Sequence, residues 1–163
     1  MTMFEIPTIT TERLRLRAFR ASDLDAYSAM QANPEVMRYM VMGRTSTPPE
    51  VWRMMLMSLG SWALRGYGMW ACEKIDRDVF IGSVGIFEPL DWPEPEIAYS
   101  LDQPFCGQGL AEAAGAARGW LFERIFRWTG LRASFDRTIC PRNRLWNGRS
   151  SMRSDVRVAG CHL

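Results

Sequence analysis

Apolar and polar residues alternate from Thr11 to Phe19, with Leu14, Leu16 and Ala18 interleaved between Arg13, Arg15 and Arg17. A period of two puts the apolar set on one face, so a first strand is expected there. The period then lengthens. Ser22 stands where a helix N-cap would, Asp23 and Asp25 fall in the first turn, and Leu24, Tyr27 and Met30 supply an apolar side up to Asn33-Pro34. Thr47-Pro48-Pro49-Glu50 opens a second helical stretch in which Trp52, Met55, Leu56, Leu59 and Trp62 recur at three- and four-residue spacing, and Gly66-Tyr67-Gly68 ends it. That stripe is expected to bury one flank, as core packing rather than as the wall of a cleft.

Met69 to Ile75 and Val79 to Phe87 are β-like runs joined by Asp76-Arg77-Asp78, which is short enough for a hairpin. Gly82 and Gly85 interrupt the second run, where lack of a side chain lets another backbone come close. After a loop at Asp91-Trp92-Pro93-Glu94-Pro95, Glu96 to Leu101 forms a further strand. Leu110 to Trp128 then reads as a helix, with Leu110, Ala114, Ala117, Leu121 and Ile125 along one side and Gly130 as its stop.

Between that strand and that helix lies Asp102-Gln103-Pro104-Phe105-Cys106-Gly107-Gln108-Gly109. Pro104 has no N–H for a ladder, so strand pairing is expected to fail near it. Gly107 and Gly109 permit a tight turn and close backbone approach, and the helix start presents unpaired N–H groups at the same point. These are the parts of a phosphate cradle; a simple reversal of the chain uses the same parts. A dinucleotide fingerprint would need a small residue where Glu112 stands, and no Gly-Lys-Ser/Thr of a P-loop is present.

Composition narrows the chemistry. At 163 residues, 47% of them hydrophobic, the chain fits one domain over 1–163 with its own core. Met1 to Thr10 lacks a basic start and apolar run, and nowhere do about 18 apolar residues follow one another, so a cytoplasmic protein without a membrane span is expected. Cys72, Cys106, Cys140 and Cys161 form no CxxC pair and the single histidine is His162, which argues against a disulfide framework, a zinc site or a histidine-based triad. The net charge of +2 is too small to argue for nucleic acid.

In order, Thr11-Glu12-Arg13-Leu14-Arg15-Leu16-Arg17, Ile81-Gly82-Ser83-Val84-Gly85, Glu96-Ile97-Ala98-Tyr99 and Cys106-Gly107-Gln108-Gly109-Leu110-Ala111 resemble the markers of the GNAT superfamily of N-acetyltransferases. Within it, the chain looks like the RimJ/RimL-like branch that acetylates ribosomal-protein N-termini. The resemblance runs from Thr8 to about Arg144, with Cys106 where the family's loop has Gln or Arg. It implies a mixed α/β fold with a splayed, largely antiparallel central sheet flanked by helices, and direct transfer of acetyl from acetyl-CoA to a primary amine, without a metal.

By that analogy Leu101 lines the pantetheine channel, while Gly107, Gln108, Gly109, Leu110 and Ala111 hold the pyrophosphate. Asn143 looks like the family's asparagine near the cofactor, and Glu96 is the candidate base. The acceptor is a protein N-terminus or a small-molecule amine, and the enzyme a monomer or homodimer. After Asn143 the family pattern fades into a tail with Arg144, Arg149, Arg153 and Arg157, which lacks an amphipathic period and in which the last strands are expected to be missing. The alternative reading is therefore a catalytically impaired coenzyme A-binding remnant with a frameshifted C-terminus.

Overall fold

The strand expected between Thr11 and Phe19 forms as β2, Leu14–Arg17, behind a two-residue strand β1, Ile9–Thr10. The computed structural model describes residues 5–38, 40, 43–91, 95–106, 108 and 158–159. After β2 come a 3-10 turn at Ala21–Asp23, helices α1 (Leu24–Gln31), α2 (Pro34–Met37) and α3 (Pro48–Arg65), then strands β3 (Met69–Lys74), β4 (Val79–Phe87) and β5 (Glu96–Leu101). A second 3-10 turn, Gln103–Phe105, follows β5, and β6 is Val158–Ala159. Strand order in the sheet follows chain order, antiparallel from β1 to β5, with β6 parallel to β5. The tail expected to lack strands thus contributes β6, opposite Ile97 and Ala98.

Local chemistry sets the ends of α3. Glu50 accepts from the Thr47 N–H at 2.7 Å and from its hydroxyl at 2.9 Å, and Pro48 supplies the fixed φ of a first turn. Gly66 closes the helix with φ of 77°, its N–H on the Trp62 carbonyl. The buried flank, however, is Val51, Met55, Ser58 and Trp62, whereas Trp52 is 39% and Leu56 49% exposed. The stripe is rotated by one residue from the expected one, because Val51 points into the core.

Ser22 does not cap a helix. The Asp23 carboxylate takes the Arg20 N–H at 2.7 Å and pairs with Arg17, so a 3-10 turn precedes α1. α1 ends at Gln31, just before Asn33-Pro34 as expected, and the same pair also opens α2, with the Asn33 side chain accepting from the Glu35 N–H.

Both sheet faces are covered. Leu14 and Leu16 pack with Trp70, Cys72, Ile81, Val84, Ile86 and Leu101 on one side. Phe19, Tyr27, Met30, Val51 and Met55 pack on Ala71 on the other, beneath α1 and α3. This second layer buries Arg17, which strand alternation alone would have left on a polar face.

Candidate functional site

β5 carries two of the sequence-predicted residues, Glu96 and Leu101. It runs against β4 in continuous register, from Glu96 opposite Phe87 to Leu101 opposite Gly82. Gly82 makes that closeness possible: a Cβ there would sit 2.0 Å from the Ser100 carbonyl oxygen, as one at Gly85 would sit 2.1 Å from that of Gly68. The close backbone approach expected at both glycines is what the sheet shows. Below, the Ser83 and Ser100 hydroxyls meet at 3.0 Å in a buried site. Burial pushes the nearby Tyr27 phenol up, while hydrogen bonds with Ser83 and Gln31 pull the other way, so Tyr27 is neutral. Leu101 itself is buried in the core.

Past Leu101 the chain leaves the sheet. The Asp102 N–H still reaches the Ile81 carbonyl at 2.8 Å, and the Asp102 side chain accepts from the Gln103 N–H at 2.9 Å. Pro104 then lies within a 3-10 turn, closed by the Phe105 N–H on the Asp102 carbonyl and the Cys106 N–H on that of Gln103. Pairing stops before Pro104, as expected of a residue without an N–H.

Beyond the turn, Gln108 is tied at two points. Its Nε2 donates to the Pro104 carbonyl at 2.8 Å, and its carbonyl accepts from Arg13 Nη1 at 3.0 Å. Asn33 Nδ2 donates to Gln103 Oε1 at 3.0 Å, joining the α1–α2 corner to the same turn. Gly107, Gly109, Leu110, Ala111 and Asn143, with the helix expected from Leu110, lie outside the described residues, as does the Glu96 side chain.

At about 3.4 Å per residue, Glu96 and Leu101 stand roughly 17 Å apart along β5. Near the Glu96 end, Glu88 follows β4 and accepts from the Tyr67 hydroxyl at 2.6 Å and from Arg65 Nη1 at 2.7 Å. Burial and the Glu88 charge push the Tyr67 phenol up to about 12. Neither this cluster nor the buried Arg17, Asp23 and Glu73 group follows from local pattern. The one available signal was Glu73 itself, a carboxylate inside the run Met69–Lys74. Among the described residues no group of three or more His, Cys, Asp or Glu is placed to hold a metal, and no helix is long and apolar enough to cross a membrane.

Comparison with known proteins agrees with this geometry. The acetyltransferase (GNAT) domain family matches residues 13–138. Among solved structures, an acetyltransferase from Agrobacterium tumefaciens str. C58 is 34% identical with a TM-score of 0.65, over 76% of this chain and 71% of that one. The ribosomal L7/L12 α-N-protein acetyltransferase RimL, solved with coenzyme A, is 21% identical with a TM-score of 0.57, over 72% and 68% of the two chains. The ribosomal-protein-S5-alanine acetyltransferase from Vibrio fischeri is 17% identical, also with a TM-score of 0.57, over 72% and 68%. At these lower identities the likeness is one of fold.

Proposed function

This chain belongs to the GNAT acetyltransferases and is an N-acetyltransferase; we propose that its donor is acetyl-CoA and its acceptor a primary amine, a protein N-terminal α-amine or a small-molecule amine. The observation that carries this reading is the departure of β5 from the sheet at Asp102 into a tight turn leading to Gly107-Gln108-Gly109. Described pairing of β5 on its outer side spans only Ile97 and Ala98. A strand held firmly on one side, with a turn of small residues at its end, suits an extended thioester arm whose phosphates rest on backbone N–H groups.

In this reading Leu101 and its neighbours line the pantetheine arm. Gly107, Gln108, Gly109, Leu110 and Ala111 hold the diphosphate, and Asn143 lies near the cosubstrate. The amine nitrogen attacks the thioester carbonyl carbon, an N–C bond forms, the C–S bond breaks, and coenzyme A leaves as its thiolate. Glu96, at the far end of β5 from the turn, takes the proton the amine loses, directly or through water. The span from Leu101 to Glu96 is one that a pantetheine arm can bridge.

An α-amino group of pKa about 8 is roughly a tenth deprotonated at neutral pH, against less than a thousandth for a lysine near 10.4. A modest base therefore serves an N-terminal acceptor, and RimL is named for an α-N-protein acceptor. A second reading, a coenzyme A-binding remnant without turnover, is favoured by one observation: the family match stops at residue 138 and an arginine-rich tail follows.

Acetyl transfer to N-terminal peptides, aminoglycosides and polyamines, followed by thiol release, tests these readings. Turnover with any of them supports the enzyme; acetyl-CoA binding with none supports the remnant. In the active case Glu96→Gln is expected to lower kcat by about 10²–10⁴ with little loss of acetyl-CoA affinity. The deficit should shrink as pH rises, since more amine then arrives deprotonated. Near-native kcat at neutral pH would remove Glu96 from the mechanism.

A further inference from the structure

Between Glu50 and Arg65, α3 carries one charged side chain, Arg53. A helix that is apolar on every side is ordinarily covered on every side. α3 is covered on one: Val51, Met55, Ser58 and Trp62 face the core, while Trp52 is 39%, Leu56 49%, Met57 45% and Leu64 88% exposed. Trp52, Leu56, Gly60 and Leu64 follow one another at four-residue spacing and so form a single ridge along the outer side. Gly60 is the dip in that ridge. A Cβ built there would meet no heavy atom within 4 Å among the described residues, so packing within them does not call for a glycine. Yet glycine inside a helix weakens it relative to alanine.

We propose that this ridge is a self-association surface, on which α3 of a second copy of this chain lies antiparallel about a two-fold axis level with Ser58. Trp52 then meets Leu64 of the second copy, Leu56 enters the dip at its Gly60, and each contact occurs twice, as an isologous interface requires. The missing side chain at the crossing lets the axes approach to about 8 Å, the short end of helix packing. Charge selects the antiparallel arrangement. It sets the two helix dipoles against each other and keeps the two Arg53 side chains roughly 15 Å apart along the axis, beyond the screening length of about 8 Å at physiological salt. A parallel pair would place Arg53 beside Arg53 and leave Gly60 facing Gly60, with no knob for either dip. A bilayer surface fits less well, since it would draw Arg53 into the apolar layer and gain nothing from a gap at Gly60.

Sedimentation velocity and light scattering on the full chain, from low micromolar to submillimolar concentration, test this. A dimer is expected. Leu56→Glu puts a charge at the crossing and should raise the dissociation constant about 100-fold or more. Gly60→Gln fills the dip with a better helix former, so it should dissociate the dimer to a similar extent while circular dichroism keeps its full helicity. Leu90→Glu, at a 95% exposed loop position away from α3, should leave the dimer intact. A wild-type chain that stays monomeric throughout overturns the proposal, as does a dimer that survives either folded α3 variant. Dissociation by Leu90→Glu as readily as by Leu56→Glu overturns it too, by placing the interface elsewhere. Should Leu56→Glu fail to fold, Gly60→Gln decides. Co-sedimentation with phosphatidylglycerol vesicles covers the other occupant: a monomeric wild type that pellets with them, and a Leu56→Glu that does not, would assign the ridge to a lipid surface and overturn self-pairing.

Discussion

Arg17 sits on β2 with its guanidinium between two carboxylates. Nη1 and Nη2 reach the two Asp23 oxygens at 2.8 Å each, and Nε donates to Glu73 at 2.6 Å. Arg15 also pairs with Glu73. Burial works against the charge on Glu73, but the hydrogen bonds and charges of Arg17 and then Arg15 outweigh it and hold its pKa below the usual carboxylate range. Burial likewise opposes the charge on Arg17, and Asp23 and Glu73 more than reverse it. Replacing Arg17 with Met would take the ion pair from the buried Asp23 carboxylate and leave the buried Glu73 with Arg15 and, at 3.4 Å, Arg20. The expected cost is about 3–5 kcal/mol, read as a lower urea midpoint at an unchanged slope. A loss within 0.5 kcal/mol would mean, by the usual scale of surface substitutions, that water reaches the pair. None of this was visible in the alternation around Arg17, which specifies a face and not what covers it.

Elements carry their own tests. At the start of α3 the Arg44 side chain first, then the Thr47 N–H and hydroxyl, draw the half-exposed Glu50 carboxyl down from 4.5 to about 2. Since its folded pKa is depressed, Glu50 contributes stability above about pH 4.5 that is lost as pH falls toward 2. Glu50→Gln should therefore flatten the stability–pH curve within that window and leave its shape above pH 5 unchanged, as followed by urea unfolding at each pH. An identical slope for both proteins would show that the cap does not titrate. On the sheet, Gly82→Ala brings a Cβ against backbone, the Ser100 carbonyl, at a residue with φ of 154°. β4 and β5 must part, at a cost of about 2 kcal/mol or more and with weakened acetyl-CoA affinity. Thermal unfolding and calorimetric titration measure both; native values would show that the strands separate freely. The ends of α3 were legible because Thr47, Pro48, Glu50 and Gly66 act on backbone within a few residues. Ser22 misled because the bond that organises its turn comes from Asp23, whose partner Arg17 is in another element.

For the whole molecule, a ligand that binds only the folded form stabilises it by mass action, about 2.7 kcal/mol at a hundred times Kd. Acetyl-CoA should accordingly raise Tm in a concentration-dependent way, and coenzyme A should as well. No shift at millimolar ligand would remove coenzyme A chemistry from the proposal. The extent of the match to GNAT acetyltransferases, residues 13–138, agrees with a resemblance legible from Thr8 to about Arg144. The sheet adds β6 from the tail, which local pattern had left without a strand.

The amino-acid sequence by itself determined the hairpin Met69 to Phe87, the strand Glu96 to Leu101, the limits of α3 and the family. Each depends on periodicity, on Pro and Gly, or on caps whose partners lie a few residues away. Tertiary structure alone decided that Arg17 is buried, that Val51 rather than Trp52 faces the core, that Gly82 receives the Ser100 carbonyl, and that Arg13 meets Gln108. Those outcomes arise where the two halves of a contact lie far apart in the chain, and a side chain's own neighbours in sequence carry no record of which surface will fold against it.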